Sequence, residues 1–88
     1  MNKYLVEFLG TMFLMFVIFA TGNWLAIGSA LAVAAFLGGP ISGGSYNPAV
    51  TIALVSANKI ELHHLLPYCI AQIFGALVAL ELYKRFKI

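Results

Sequence analysis

Apolar residues run almost unbroken along this chain, and the few polar positions cut it into pieces of helical length. From Tyr4 to Thr21 the only charge is Glu7. That run of about 18 residues is long enough to cross a hydrocarbon core of ~30 Å as a helix. Gly22-Asn23 makes a tight uncharged turn, and Trp24 fits an anchor at the membrane surface. Trp24 to Leu37 predicts a second span, short at about 14 residues unless it borrows its flanks. Asn58 to His64 is a polar return carrying Lys59, Glu61, His63 and His64. Leu65 to Tyr83 predicts the third span, with Pro67 in its first turn, where a missing N–H costs nothing. Lys84-Arg85-Phe86-Lys87 then closes it at the headgroups, and Tyr4 and Tyr68 read as aromatic-belt residues.

Between the second and third spans lies the one polar, Gly-rich passage, Ser42-Gly43-Gly44-Ser45-Tyr46-Asn47-Pro48-Ala49-Val50-Thr51. Asn47 stands where a helix N-cap belongs, and Pro48 takes the first helical position. Gly38 to Tyr46 is expected to re-enter the membrane as a loop, and Pro48 to about Ala57 to follow as a half-helix. At ~1.5 Å per residue such a helix is on the order of 15 Å long, half the hydrocarbon core. A half-helix whose N-terminus faces mid-membrane offers unpaired N–H groups and partial positive charge, a device for pores and binding sites. Irregular backbone at that depth has to be covered by protein or line a watery cavity.

Composition supports the pattern. With 62% hydrophobic and 9% charged residues, the chain lacks the polar surface of a soluble domain, which makes it an all-α, integral, multi-pass membrane protein of one unit. The net charge of +2 is juxtamembrane charge and implies no nucleic-acid partner. Lys3 before an apolar run mimics a signal peptide, but Glu7 and the length of the run argue against cleavage. Cys69 is the only cysteine, so an intrachain disulfide or a cysteine metal site is excluded. Ala26, Ala30, Ala34 and Gly38 form a small-residue ladder, as do Ala71, Gly75 and Ala79; both allow close helix packing in lipid. No internal repeat is visible. No acid–base pair, nucleophilic triad or phosphate loop accompanies Asn47, so the reading is not an enzyme and no cofactor is implied. With its carbonyl capping the helix, the Asn47 amide is free to donate to a cargo that accepts hydrogen bonds and passes through.

Ser42-Gly43-Gly44-Ser45-Tyr46-Asn47-Pro48-Ala49-Val50-Thr51-Ile52-Ala53-Leu54 resembles the first Asn-Pro-Ala loop of the aquaporin and glycerol-facilitator family. Glu7-Phe8-Leu9-Gly10-Thr11 is similar to the family's first-helix motif, and Tyr68-Cys69-Ile70-Ala71-Gln72-Ile73-Phe74-Gly75-Ala76 to its third-helix motif. The three motifs cover nearly the whole chain but match only the N-terminal of the family's two inverted halves. The resemblance implies three spans and one half-helix, with two copies in antiparallel, dual-topology association supplying the second half. Gathering of such dimers into larger rings would follow the family. It implies passive permeation of water and small neutral solutes such as glycerol.

Carried over by position, Asn47 orients water, while Pro48 and Ala49 stack the two half-helices. The family's constriction positions fall on Ile27, Ala35, Gly44 and Val50. Glu7 would hold the re-entrant backbone, with Gln72 supporting the loop beside it. Ser45 stands where many members have His; Val50 follows Asn-Pro-Ala as in the family's first half, and the Arg usual after the second Asn-Pro-Ala is missing. For Glu7, Gln72 and the two histidines, blander roles compete: headgroup snorkelling, helix-to-helix contact and solvated interfacial residues respectively. Two other functions stay open at this level. One is a channel half that needs a different C-terminal half. The other is a small dual-topology exporter driven by protons through Glu7.

Overall fold

The computed structural model describes residues 1–86. Its helices are α1 (Lys3–Thr21), α2 (Trp24–Ser42), α3 (Pro48–Ser56) and α4 (Leu65–Phe86), the last entered through a 3-10 turn at Leu62–His64. α1, α2 and the segment ending in α4 are each long and apolar enough to cross a membrane. α3, with nine residues, reaches only about 14 Å at ~1.5 Å per residue. No strand occurs among the described residues, so the fold is all-α.

Local chemistry sets the helix ends. Asn2 caps α1, its side-chain oxygen accepting from the N–H groups of Tyr4 and Leu5 at 2.7 and 3.2 Å. Gly22, at φ +54°, ends it. Asn23 caps α2 in the same way, accepting from Leu25 and Ala26 at 3.0 Å each. α2 then departs from expectation. It does not stop at Leu37 but continues through Gly38-Gly39-Pro40 to Ser42, so the loop is only Gly43 to Asn47. Pro40 lies on the exposed side of the helix, while Gly38 and Ser42 extend the buried face. Packing of that face outweighs the breaker signal of Gly-Gly-Pro. Gly43, at φ +90°, ends the helix and returns its N–H to the Gly39 carbonyl at 2.9 Å. α4 likewise runs past Tyr83 to Phe86, and Lys87 lies outside the described residues.

α1 is the spine. It packs along α4 and against α2, while α3 lies on α4. The buried face of α2 is Ala30, Ala34, Gly38 and Ser42, with Ala26 half-buried, so the small-residue ladder is its packing face. On α4 the buried row is Tyr68, Gln72, Gly75 and Ala79, while Ala71 sits half-buried on the next face. At Gly75 the helices nearly touch: a Cβ there would lie 2.5 Å from the Phe8 carbonyl oxygen. The molecule is inside-out relative to a soluble domain. Trp24, Phe36 and Phe74 are exposed, and the centre holds Glu7, Thr11, Ser42, Ser45, Thr51 and Gln72.

Candidate functional site

The polar centre is built around the carboxylate of Glu7, which has no exposed surface. Its place on α1 faces the loop, not the headgroups. Oε2 accepts from the Ser42 hydroxyl at 2.6 Å. Oε1 accepts from the backbone N–H of Tyr46 at 2.8 Å, the Ser45 hydroxyl at 3.1 Å and Gln72 Nε2 at 2.8 Å. Three of the four donors converge on Oε1 and one on Oε2. Every one of them comes from the loop, its approach or the facing helix α4.

Gln72 ties that cluster to α3. Its Nε2 also donates to Thr51 Oγ1 at 2.8 Å and lies 3.3 Å from Ser45 Oγ. Thr51 in turn donates to the Asn47 carbonyl at 2.8 Å and touches the Ser45 hydroxyl at 3.0 Å. The amide orientation is set by its neighbour: turning it over would put its oxygen against the Glu7 oxygen. In consequence Gln72 Oε1 is buried without a hydrogen-bond partner among the described residues.

Tyr46 locks the loop from the other side. Its backbone takes φ +54°, a left-handed conformation that is rare for a bulky residue. The surroundings hold it there: its N–H goes to Glu7, its carbonyl accepts from Thr11 Oγ1 at 3.4 Å, and its hydroxyl donates to the Ala34 carbonyl at 2.5 Å. The ring fills the space left by two glycines, Gly10 on α1 and Gly38 on α2, where a Cβ would collide with it. Tyr68 is also part of this centre and is not the aromatic-belt residue its position suggests. It is 1% exposed and donates to the Ser42 carbonyl at 2.7 Å. Tyr4 is half-buried beside it, with its hydroxyl 2.9 Å from His64 Nδ1.

This framework presents Asn47 and the first turn of α3. Asn47 Oδ1 accepts from the Ala49 N–H at 2.7 Å, and Pro48 occupies the first helical position. The Asn47 side chain is exposed, and its Nδ2 has no partner among the described residues. Ala49 and Val50 are exposed beside it, with Pro48 half-buried. Gly44 and Ala35 come together: a Cβ on Gly44 would lie 3.4 Å from the Ala35 Cα. Ile27 is not brought to them, being eight residues from Ala35 along α2, about 12 Å at ~1.5 Å per residue.

Ser42, Ser45, Thr51 and Tyr68 enter the centre without having been singled out for it in the sequence. A signal was available for Tyr68, which lies one helical turn before Gln72 on the same face. Ser45 and Thr51 carry none, because small hydroxyl residues are ordinary in turns and apolar helices.

Comparison with known proteins gives a consistent answer. The family model described as major intrinsic protein matches residues 21–87. Over 95 aligned residues the chain is 46% identical to glycerol uptake facilitator protein-like 6 of Lactiplantibacillus plantarum, covering 98% of this chain and 44% of that protein. It is 37% identical to aquaporin Z of Bradyrhizobium diazoefficiens, covering 93% and 40% respectively. Aquaporin-5 of Ovis aries is 40% identical over 81% of this chain and 31% of its own length. No solved structure matches the chain significantly. The chain thus spans less than half the length of the curated relatives it matches. With the Asn-Pro-Ala turn, the three apolar spans and these relatives in hand, the chain is an integral multi-pass membrane protein that belongs to the major intrinsic protein family.

Proposed function

We propose that two copies of this chain, antiparallel across the bilayer, enclose a passive pore for water and small neutral solutes such as glycerol. The observation that carries this reading is the bare flank of α3. Ala49, Val50, Ile52 and Ala53 are exposed, and so is Asn47, the last residue of the loop that leads into them. Inside a bilayer that irregular backbone has to be covered by protein or face a water-filled cavity. A second copy, inverted, supplies both: its own α3 against this one and a watery lumen between them. Asn47 of each copy then donates its free amide to a passing oxygen, and the two helix N-termini, each roughly half a positive charge, repel cations at mid-pore. Pro48 and Ala49 form the contact between the two α3 helices.

Ala35, Gly44 and Val50 of one copy with Ile27 of the other form each mouth. All four are apolar and three are small, so the mouth is wide enough for a polyol and strips water less favourably than one lined by polar groups. Glu7 works from behind, holding the Tyr46 N–H so that loop carbonyls remain available to the pore. Its carboxylate is engaged by four donors from the loop and its supports, three on Oε1 and one on Oε2, as a brace requires. A different chain supplying the second half is the alternative partner, favoured by the roughly twofold greater length of the relatives.

The test is light-scattering permeability of liposomes holding this chain alone, with disulfide crosslinking of single-cysteine variants to read orientation. Fast osmotic shrinkage, glycerol re-swelling and antiparallel crosslinks are expected. Closed vesicles with well-folded protein would refute the homodimer, and conduction restored by adding a C-terminal half would assign the second partner.

A further inference from the structure

At the end of the molecule where α1 and α4 begin and α2 finishes, a cleft of about 260 Å³ opens. Lys3, Lys59, Ile60, Glu61, His64 and Tyr68 wall it, together with the last turn of α2. Its charges are unbalanced. The salt bridges among the described residues are His63–Glu61 and Lys84–Glu81, so neither Lys3 nor Lys59 has a carboxylate partner. Glu61 is the one carboxylate in the wall, largely exposed and 3.5 Å from His63, so two lysines face a single acidic group. The α2 terminus is less repellent to an anion than a bare helix end, because the Gly39 carbonyl is met by the Gly43 N–H and the Ser42 carbonyl by the Tyr68 hydroxyl. His64, held with its Nδ1 2.9 Å from the Tyr4 hydroxyl, adds an imidazole to the wall.

We propose that this cleft binds a phosphate ester, with Lys3 and Lys59 as the charges that hold it. Three span ends meet here, at Lys3, Ser42 and Leu65, which sets the cleft at the level of the headgroups. The nearest source is therefore the phosphodiester of an anionic lipid, and basic pockets between helices at that level suit such headgroups. Free phosphate offers the same chemistry from solution. The site does not depend on conduction, and binding is read without it.

The experiment measures lipid retained by the purified protein in detergent after exposure to equal phosphatidylglycerol and phosphatidylcholine, by mass spectrometry of the intact complex. A several-fold preference for phosphatidylglycerol is expected. Lys3→Gln with Lys59→Gln should bring the ratio close to one, Lys3→Arg with Lys59→Arg should keep it, and Lys84→Gln with Arg85→Gln at the opposite end should leave it unchanged. Circular dichroism checks that each variant keeps its helices. A second arm titrates inorganic phosphate against chloride at equal ionic strength. Phosphate binding that needs Lys3 and Lys59, with no lipid preference, assigns the site to the soluble source. The proposal is overturned if the glutamine pair retains the parent preference, if the Lys84/Arg85 pair loses as much, or if neither lipid nor phosphate binds selectively.

Discussion

Removing the Glu7 carboxylate tests whether the loop is held from α1. In Glu7→Ala, four donors lose their acceptor. The Ser42 and Ser45 hydroxyls can rotate, Ser42 towards the Gly38 carbonyl at 3.4 Å and Ser45 towards Thr51 Oγ1 at 3.0 Å. The Tyr46 N–H cannot turn away, whereas the Gln72 N–H falls back on the longer contact to Ser45 Oγ at 3.3 Å. One buried orphan at about 1–3 kcal/mol, with about 1 kcal/mol for the weakened Gln72 bond, predicts a loss of roughly 2–4 kcal/mol. Glu7→Gln keeps one acceptor oxygen for the Tyr46 N–H and gives up charge assistance, so about 1–3 kcal/mol is expected. Unfolding in mixed micelles with rising sodium dodecyl sulfate, followed by circular dichroism, reads the difference; liposome permeability reads its effect on the pore. The double variant Glu7→Ala with Gln72→Leu removes the weakened donor together with its acceptor, so its cost should fall short of the two single costs added. If Glu7→Ala unfolds at the parent midpoint and conducts like it, the carboxylate does not brace the loop.

Asn47→Ala should lose about 1 kcal/mol of capping, whereas Asn47→Asp keeps the cap acceptor, loses the amide donors and should admit cations; equal ion exclusion by both variants and the parent, in a potential-dye flux assay, would leave Asn47 a cap only. Gly75→Ala drives a Cβ into the Phe8 carbonyl and should cost about 1–3 kcal/mol by overpacking, which the same detergent titration detects as a lower midpoint. Val50→Arg should narrow both mouths, slowing glycerol more than water in stopped-flow light scattering; an equal effect on both solutes would place the constriction elsewhere. Lys3 and Lys59 lie at one end of the bundle and Lys84 and Arg85 at the other, so a C-terminal tag should be found on both sides of the membrane, and protease protection showing a single side would remove the antiparallel arrangement.

The helices were legible in the sequence because membrane spanning is decided by long apolar runs, and the start of α3 because Asn47-Pro48 carries its own cap chemistry. The end of α2 was not: Gly38-Gly39-Pro40 is a local stop signal, and only the burial of Gly38 and Ser42 against neighbouring elements keeps that turn helical. Glu7 and Gln72 could be tied to the loop through resemblance alone, since nothing in their own neighbourhoods points 38 or 27 residues along the chain to Ser45. The membership of Ser42, Ser45, Tyr46 and Thr51 in one hydrogen-bonded centre belongs wholly to the tertiary structure, whereas Tyr68 had a signal in its place one turn before Gln72. A buried polar group requires a partner but does not name it. Which partner it meets depends on how α1, α2 and α4 pack around Gly10, Gly38 and Gly75, three positions where a missing side chain lets a ring or a backbone come close.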